Sequence, residues 1–209
     1  MTDQVLWLDR LRLSDLAQVG GKNASLGEMF RELKAKGVRV PDGFAVTAEA
    51  FREYFRETGL DKEIRSILKG LDTQNAESLQ QCGRAAREAI LRQEIPAAIK
   101  AEILKAYANL SGGIAGGIDV AVRSSATAED LPNASFAGQQ ETFLNVHGET
   151  QLMDTCRRCF ASLFTDRAIS YRQDQGFDHF QVALSIGVQR MVRSDLAASG
   201  VMFSIATES

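Results

Sequence analysis

The sequence has little of what several classes of protein require. Its three cysteines, an odd number in a chain of this length, do not describe a disulfide scaffold, so reduced thiols are expected. Basic residues are not in excess: 24 Lys and Arg stand against 27 Asp and Glu, which disfavours nonspecific nucleic-acid binding. No apolar run approaches the length of a membrane span, and residues 1–13 carry charged side chains where a signal peptide needs an apolar segment. These absences predict a cytoplasmic protein without membrane or nucleic-acid partners.

The composition is that of a folded protein. The chain has 209 residues, of which 44% are hydrophobic and 24% are charged. A chain of this size and composition can form one large or two small globular domains with a buried core, so disorder is not expected.

The most informative stretch is residues 120–146, which read VAVRSSATAEDLPNASFAGQQETFLNV. Its apolar alternation first predicts a strand, and then periodicity is lost for about twenty residues. A long loop without structure of its own is typical of a lid or a binding loop. Arg123, at the end of the strand and followed by small hydroxyl residues, offers a charged fork that suits a phosphate. The alternative is an ion pair between Arg123 and Glu129 or Asp130 in an exposed turn.

A second candidate for anion binding is Lys22, which follows two glycines. Apolar residues at helical spacing predict a helix over residues 23–36, capped by Asn23 or Ser25. The N–H groups and the dipole at a helix N-terminus favour an anion. The motif lacks the trailing Ser or Thr of a full phosphate loop, so a merely solvated lysine is the alternative.

The third candidate segment is residues 182–192, a nearly continuous apolar run that predicts a buried strand. Such a segment can bind a purine, with apolar side chains against the ring face and backbone groups against its polar edge. The alternative is a central strand with no further role. Residues 197–205 are predicted to return as its antiparallel neighbour.

Other patterns complete the chain. Helices are predicted near residues 61–69, 76–92, 96–110 and 149–164, and short strands at residues 5–8, 38–46 and 142–146. Thr47 is predicted to cap a helix with an aromatic core face. Three arginines are expected on a solvated helix face: Arg84, Arg87 and Arg92.

Three motifs that resemble functional sites have plainer interpretations. The glycine-rich residues 111–117 follow a helix and precede a strand, the reverse of the dinucleotide fingerprint, and are interpreted as a connector. Cys156 and Cys159 form a single CxxC in a helical pattern, without the second pair of a zinc site, which favours two packed thiols. His147 and His179 have no Ser, Asp or Cys partner at a recognisable spacing.

Three stretches carry a family resemblance: RSSATAEDLPNASFAGQQETFLNV at residues 123–146, VGGKNASLGEM at 19–29, and VALSIGVQRMVRSDLAASGVMFSI at 182–205. Together they closely resemble the N-terminal nucleotide-binding domain of the phosphoenolpyruvate synthase (pyruvate, water dikinase) family. The resemblance implies an α+β fold, the N-terminal portion of an ATP-grasp domain. Its helix-rich part would cover residues 1–110, and a part with a mixed sheet, the phosphate loop and the adenine hinge would cover residues 111–209.

Roles for the phosphate-binding residues follow from the resemblance. It implies that Lys22 and Arg123 contact the nucleotide phosphates and act catalytically, by neutralising charge on the transferred phosphoryl group. Gly138 and Thr142 would shape the phosphate loop and hydrogen-bond within it.

The resemblance also implies the ligands and the reaction. Gln189, Met191 and Val192 would hold the adenine of ATP, and ligands for Mg²⁺ are expected beyond residue 209. The parent activity would convert ATP, pyruvate and water to phosphoenolpyruvate, AMP and phosphate through a phosphohistidine, a step of gluconeogenesis. Neither histidine of this chain matches the family's phosphorylated histidine.

The sequence departs from the family at Ala206, where the family motif has an aspartate. The phosphohistidine and pyruvate-binding domains are expected further along the parent, and any homo-oligomer would form through them. The 209 residues alone are therefore expected to be inactive. Two alternatives stay open: a related dikinase with another acceptor, and a truncated product that catalyses nothing.

Overall fold

One five-stranded sheet organises the part of the chain that this computed structural model describes, which is residues 3–127, 130–131, 134–135 and 141–200. In spatial order its strands are β1 (Val5–Trp7), β2 (Gly43–Val46), β7 (Leu184–Arg190), β3 (Val120–Ala126) and β6 (Thr142–Val146). Every neighbouring pair is antiparallel. The predicted α+β class is confirmed, but the sheet is antiparallel and not mixed, and it takes two strands from residues before 110.

The helices of the described residues are α1 (Leu16–Lys34), α2 (Ala48–Thr58), α3 (Leu60–Ile67), α4 (Ala76–Arg92), α5 (Ala97–Ser111), α6 (Gly148–Ala161) and α7 (Asp166–Asp174). The predicted cap of α2 is confirmed, because the Thr47 hydroxyl accepts a hydrogen bond from the Ala50 N–H at 3.3 Å. Within the described ranges, no helix combines the length and the apolar character that crossing a membrane would need.

One face of the sheet packs against most of these helices. Side chains alternate between the two faces of a strand, and on this face β3 contributes Val120 and Val122 while β7 contributes Ile186 and Val188. All four are fully buried, in one apolar cluster with residues of α2, α4 and α6. This face of the sheet therefore belongs to the main hydrophobic core.

Aromatic rings fill the centre of that core. The rings of Phe51 and Phe55 on α2 lie 4.2 Å apart, and Phe160 on α6 meets Phe51 edge to face at 5.4 Å. Tyr54 is also buried, and its hydroxyl donates to the Ile90 carbonyl at 2.8 Å. The aromatic core face predicted for α2 is confirmed.

The other face of the sheet is covered by α1. A second, smaller cluster joins Ala45 of β2 to Val19, Ala24 and Phe30 of α1. Most of the apolar side chains that α1 buries are small, so the helix approaches the strands closely on this side.

Two further predictions are corrected. Arg87 does not lie on a solvated face: its Nη1 donates to the Phe164 carbonyl at 2.8 Å and to Asp166 Oδ1 at 2.9 Å, which ties α4 to the start of α7. The loop after β3 is not without structure of its own, because β4 (Asp130–Leu131) and β5 (Ala134–Ser135) pair as a short ladder.

Candidate functional site

The sheet face under α1 holds the predicted phosphate residues of β3 and β6. Arg123 lies opposite Gly187 of β7 on one side and opposite Thr142 of β6 on the other. Directly paired residues of antiparallel strands project to the same face, with Cβ atoms about 4.5–5.5 Å apart, so Arg123 and Thr142 are neighbours. Gly187 has no side chain, and the space beside Arg123 on the β7 side is taken by Asn23 Oδ1, which a Cβ on Gly187 would approach to 2.3 Å.

Arg123 has an unused hydrogen-bond donor. The residue is half-buried, and its Nε is buried without a hydrogen-bond partner among the described residues. Buried donors are nearly always paired in folded proteins, so an orphaned guanidinium N–H calls for an acceptor from outside the described structure. An anionic oxygen of a ligand fits that need. Glu129, one alternative ion-pair partner, lies outside the described residues.

A kink in α1 brings the helix against β3. Gly20 has φ 72° and ψ 165° inside the helix, a conformation that only glycine adopts readily. A Cβ at this position would lie 2.3 Å from Ser125 Oγ and 2.6 Å from the Ser125 carbonyl oxygen, so no larger residue fits. Lys22 lies in the first turn after the kink and is exposed. Its segment therefore reaches the same sheet face as Arg123.

The predicted helix start was wrong. The predicted break at the glycines is found, because non-helical Gly20 divides α1 into two helical segments, but the second segment starts before Asn23 and neither Asn23 nor Ser25 is its cap. Asn23 is instead 1% exposed, inside the helix, with its Nδ2 donating to Ser185 Oγ at 3.0 Å. The Asn23 N–H faces Ser125 Oγ at 3.4 Å.

Sequence reasoning missed this buried polar contact between α1 and the sheet. Ser185 also connects this contact to β2, because its hydroxyl donates to the Val46 carbonyl at 2.7 Å. A Cβ on Gly187 would lie 2.3 Å from Asn23 Oδ1, so that glycine makes room for the asparagine. A signal was present: Ser185, Gly187 and Gln189 interrupt the apolar run at a period of two, which indicates one polar strand face.

The two ends of the predicted phosphate loop are anchored to the sheet. At its start, the Thr127 N–H donates to the Ala183 carbonyl at 3.0 Å. At its end, the Glu141 N–H donates to Ser124 Oγ at 2.9 Å, and the Ser124 N–H donates to the Glu141 carbonyl at 3.1 Å. The end at Glu141 therefore lies next to Arg123, and the start at Thr127 lies just past the last residue of β3. Gly138 lies outside the described residues.

The predicted adenine hinge follows β7, which ends at Arg190. Gln189 is 8% exposed and its Nε2 donates to the Pro41 carbonyl at 3.0 Å. The Met191 N–H donates to the Asp119 carbonyl at 3.0 Å, and the Val192 carbonyl accepts from the Ser194 N–H at 2.9 Å. These backbone groups are therefore hydrogen-bonded within the chain. The groups that remain for contact with an adenine ring are mainly two apolar side chains. Met191 is half-buried, and Val192 is 60% exposed.

The predicted return strand is not found where the structure can be described. Residues 197–200 form no strand, and residues 201–205, together with Ala206, lie outside the described residues. The chain after β7 instead makes a short turn of 3₁₀ helix, Ser194–Leu196.

The two cysteines of the CxxC motif are packed in the core. Cys156 and Cys159 are fully buried, and burial raises the pKa of Cys156 to about 12 and holds the pKa of Cys159 well above its usual range. Both thiols are protonated at neutral pH, which is the state of an inert core cysteine. The described residues include no group of three or more His, Cys, Asp or Glu side chains that could hold a metal ion.

The two histidines lie in different surroundings. His147 is exposed, with its Nδ1 2.9 Å from Asp119 Oδ1. His179 Nδ1 accepts from the Nε of the fully buried Arg172 at 3.2 Å. Burial, followed by the adjacent Arg172 cation, lowers the pKa of His179 to about 4, so this histidine is neutral at pH 7.

Comparison with known proteins identifies relatives of this chain. A family model described as pyruvate phosphate dikinase, AMP/ATP-binding domain, matches residues 16–209. The chain is 55% identical to the phosphoenolpyruvate synthase of Synechocystis sp., over 99% of its length, and 55% identical to that of Neisseria meningitidis serogroup B, over 98%. It is 53% identical to the phosphoenolpyruvate synthase of Escherichia coli (strain K12), over 98% of its length. The chain spans about a quarter of these relatives, 26% of each.

Proposed function

The chain belongs to the pyruvate phosphate dikinase AMP/ATP-binding domain family, and on that premise we propose that it is the ATP-binding part of a phosphoenolpyruvate synthase. The parent enzyme converts ATP, pyruvate and water to phosphoenolpyruvate, AMP and phosphate through a phosphohistidine, in the cytoplasm. The domain is of the ATP-grasp type. The support is identity of 53–55% to synthases of that name over nearly the whole chain.

The observation that carries the site is the unpaired Nε of Arg123. It is buried on a sheet face where Thr142, the β6 partner of Arg123, offers a hydroxyl. Phosphate oxygens supply the acceptors that a guanidinium fork needs, and fixed cations stabilise the negative charge that develops during phosphoryl transfer. Arg123 and Lys22 therefore hold the nucleotide phosphates and act in catalysis, with Gly138 and Thr142 shaping the loop around them.

The base is held at the end of β7. Met191 and Val192 pack against the faces of the adenine ring, and Gln189 keeps the strand end in register through its bond to the Pro41 carbonyl. The N–H of Met191 is already bonded to Asp119, so the polar edge of adenine is met by other groups of the parent enzyme. Mg²⁺ would likewise be held by residues of the parent beyond residue 209, and it would supply charge neutralisation for the phosphates.

The test of the site is substitution in the full-length parent. We expect Arg123→Ala to lower turnover by about 10²–10³-fold, the usual effect of removing one preorganised charge-stabilising group, and to leave the unfolding midpoint unchanged or higher, because the variant also removes an unpaired buried donor. Lys22→Ala is expected to act similarly, and Lys22→Arg should rescue it only partly, because a planar fork does not replace a compact ammonium.

A matched control is Arg52→Ala, which removes an exposed arginine of α2 that pairs only with its helix neighbour Glu49 among the described residues. This variant should keep the turnover of the unmodified enzyme, since such a pair contributes little. Near-normal turnover in Arg123→Ala would remove Arg123 from the site.

The 209 residues alone are proposed to make no phosphoenolpyruvate. Incubation of the purified chain with ATP, Mg²⁺ and pyruvate, with assays for AMP and phosphoenolpyruvate, tests this, because neither His147 nor His179 matches the context of a phosphohistidine. Pyruvate-dependent AMP release above a boiled control would show that the catalytic groups lie within these 209 residues and that this proposal is wrong. In the full-length parent, AMP release that requires another acceptor in place of pyruvate would favour a related dikinase.

A further inference from the structure

One polar side chain is buried on the sheet side of α1. The residues that α1 buries are Val19, Gly20, Gly21, Asn23, Ala24, Gly27 and Phe30, and among them Asn23 alone carries a polar side chain. A buried amide is tolerated where its hydrogen bonds are made, and such bonds fix one arrangement of the groups that they join. Asn23 directly follows Lys22, so whatever fixes Asn23 also fixes the backbone from which Lys22 projects.

The contacts of Asn23 go to the two strands that flank the candidate phosphate site. Its N–H faces Ser125 Oγ, and Ser125 lies two residues along β3 from Arg123, on the same face. Its side-chain amide donates to Ser185 Oγ, and Ser185 lies two residues along β7 from Gly187, the partner of Arg123. The asparagine therefore spans the pair of strands on which Arg123 is placed.

Two close approaches complete the fit. Gly20 touches Ser125, and Gly187 leaves the space that Asn23 Oδ1 occupies. Ser185 is in turn bonded to the Val46 carbonyl, so the contact is anchored to β2 as well. Gly20 at the kink and Asn23 just after it contact two adjacent strands, β3 and β7. These contacts fix the distance and the rotation of the second helical segment of α1 relative to the sheet.

We propose that Asn23 is a positioning residue for the phosphate site, which holds Lys22 at a fixed place relative to Arg123. This inference rests on the proposed function, because it assumes that Lys22 and Arg123 bind the phosphates of ATP. Asn23 itself touches no phosphate. Its role is exerted through the backbone of Lys22, so its loss weakens phosphate binding and leaves the adenine hinge on β7 unaffected.

The experiment compares the affinity of the full-length parent enzyme for ATP with its affinity for adenosine, by equilibrium titration without added Mg²⁺. Lys22→Ala should weaken ATP binding by roughly tenfold or more, as expected for loss of a charged hydrogen bond. Asn23→Ala should weaken it by roughly three- to tenfold, since Lys22 remains but is no longer fixed. Adenosine binding should stay within about twofold in both variants.

Ser185→Ala removes the hydrogen-bond partner of the Asn23 amide and should also weaken ATP binding relative to adenosine binding. This variant tests the proposal if Asn23→Ala does not fold. The double variant Asn23→Ala/Ser185→Ala should weaken ATP binding no more than the stronger single variant, because the two residues act through one contact. The matched control is Asn75→Ala, which removes an asparagine cap at the start of α4, where Asn75 Oδ1 accepts from the Ser78 N–H at 3.0 Å. It should lower the unfolding midpoint and leave the ratio of ATP to adenosine affinity unchanged.

The outcomes separate the two proposals. If Lys22→Ala lowers ATP affinity but Asn23→Ala and Ser185→Ala leave the ratio unchanged, the positioning role is wrong and the proposed function stands. If the wild-type parent shows no preference for ATP over adenosine, or Lys22→Ala has no effect, both the phosphate role of Lys22 and the positioning role of Asn23 are overturned.

Discussion

The two faces of the central sheet differ in composition although the same strands make both. On the face toward α2, α4 and α6, β3 and β7 carry buried branched apolar side chains such as Val122 and Ile186. On the face toward α1, the alternate positions are mostly polar or small, as at Arg123, Ser185 and Gly187. A strand with a side-chain period of two can therefore stabilise the fold with one set of residues and bind a ligand with the other.

The difference has an energetic consequence. Each fully buried apolar side chain contributes about 1.5–3 kcal/mol to the free energy of folding. The face toward α2, α4 and α6 can therefore offset the cost of polar groups that are buried on the face toward α1. On the α1 side, an unpaired buried donor such as Arg123 Nε costs about 1–3 kcal/mol until an acceptor arrives. Changes on the two faces should therefore have different effects: stability on one, ligand binding on the other.

The largest expected effect on stability comes from Phe160→Ala in α6, on the face of the sheet toward α2, α4 and α6. Phe160 is fully buried and packs against Phe51 and Tyr54, so truncation should lower the free energy of unfolding by about 3–5 kcal/mol. Chemical denaturation followed by circular dichroism measures this change. The ratio of ATP to adenosine affinity in the folded variant should be unchanged, and a shift in that ratio would break the separation of the two faces.

A smaller effect is expected for the double variant Cys156→Ala/Cys159→Ala. Both thiols are packed and protonated, so their loss should lower the free energy of unfolding by about 1–3 kcal/mol, with ATP affinity unchanged. Cys82→Ala is the matched control, because Cys82 is only partly buried and should contribute less. Stoichiometric zinc in the purified protein, measured by mass spectrometry, would contradict the packed-thiol interpretation.

The smallest effect is a pH dependence from His179. Its pKa is lowered to about 4 in the folded chain, below the value of about 6.5 in the unfolded chain, so the unfolded state binds more protons between these values. Stability from this residue is complete above about pH 6.5 and is lost as the pH falls toward 4. After allowance for solvent screening, we expect a loss of roughly 1 kcal/mol.

Denaturation at pH 7, 6 and 5 measures that loss. The charged groups that face His179 are Arg172, Asp178 and Arg65, and Arg65 pairs with Asp178 at 2.6 Å, so part of any acid effect belongs to that carboxylate. His179→Gln keeps a hydrogen-bonding side chain and does not titrate, and it should flatten the dependence between pH 7 and 5. An equally steep dependence in this variant would assign the effect to other groups.

Sequence reasoning succeeded where the determinants are local. The bounds of α4 follow from apolar spacing over a few turns, and the cap at Thr47 involves residues three apart. The family was likewise identified correctly, because the residue order of its motifs is distinctive.

It failed where the determinant is a contact between distant parts of the chain. Asn23 is a good helix cap by local preference, but a hydrogen bond to Ser185, 162 residues away, draws it into the helix–sheet interface. The helical segment before Gly20 was not predicted, and the kink at Gly20 packs closely against Ser125 of β3. Local propensity does not contain that packing, and the sheet order that creates it is set by the whole chain.

The place of β7 in the sheet also bears on how the protein is made. This strand lies between β2 and β3, although it is the last strand in sequence among the described residues. Before β7 leaves the ribosome, the five-stranded sheet can form only its pairs of β1 with β2 and of β3 with β6, and β2 and β3 each keep one edge without a partner strand. We therefore expect the nascent chain to contain two incomplete half-sheets, which residues 184–190 join in one late step. That step completes the hydrophobic core and the sheet surface on which Arg123 lies.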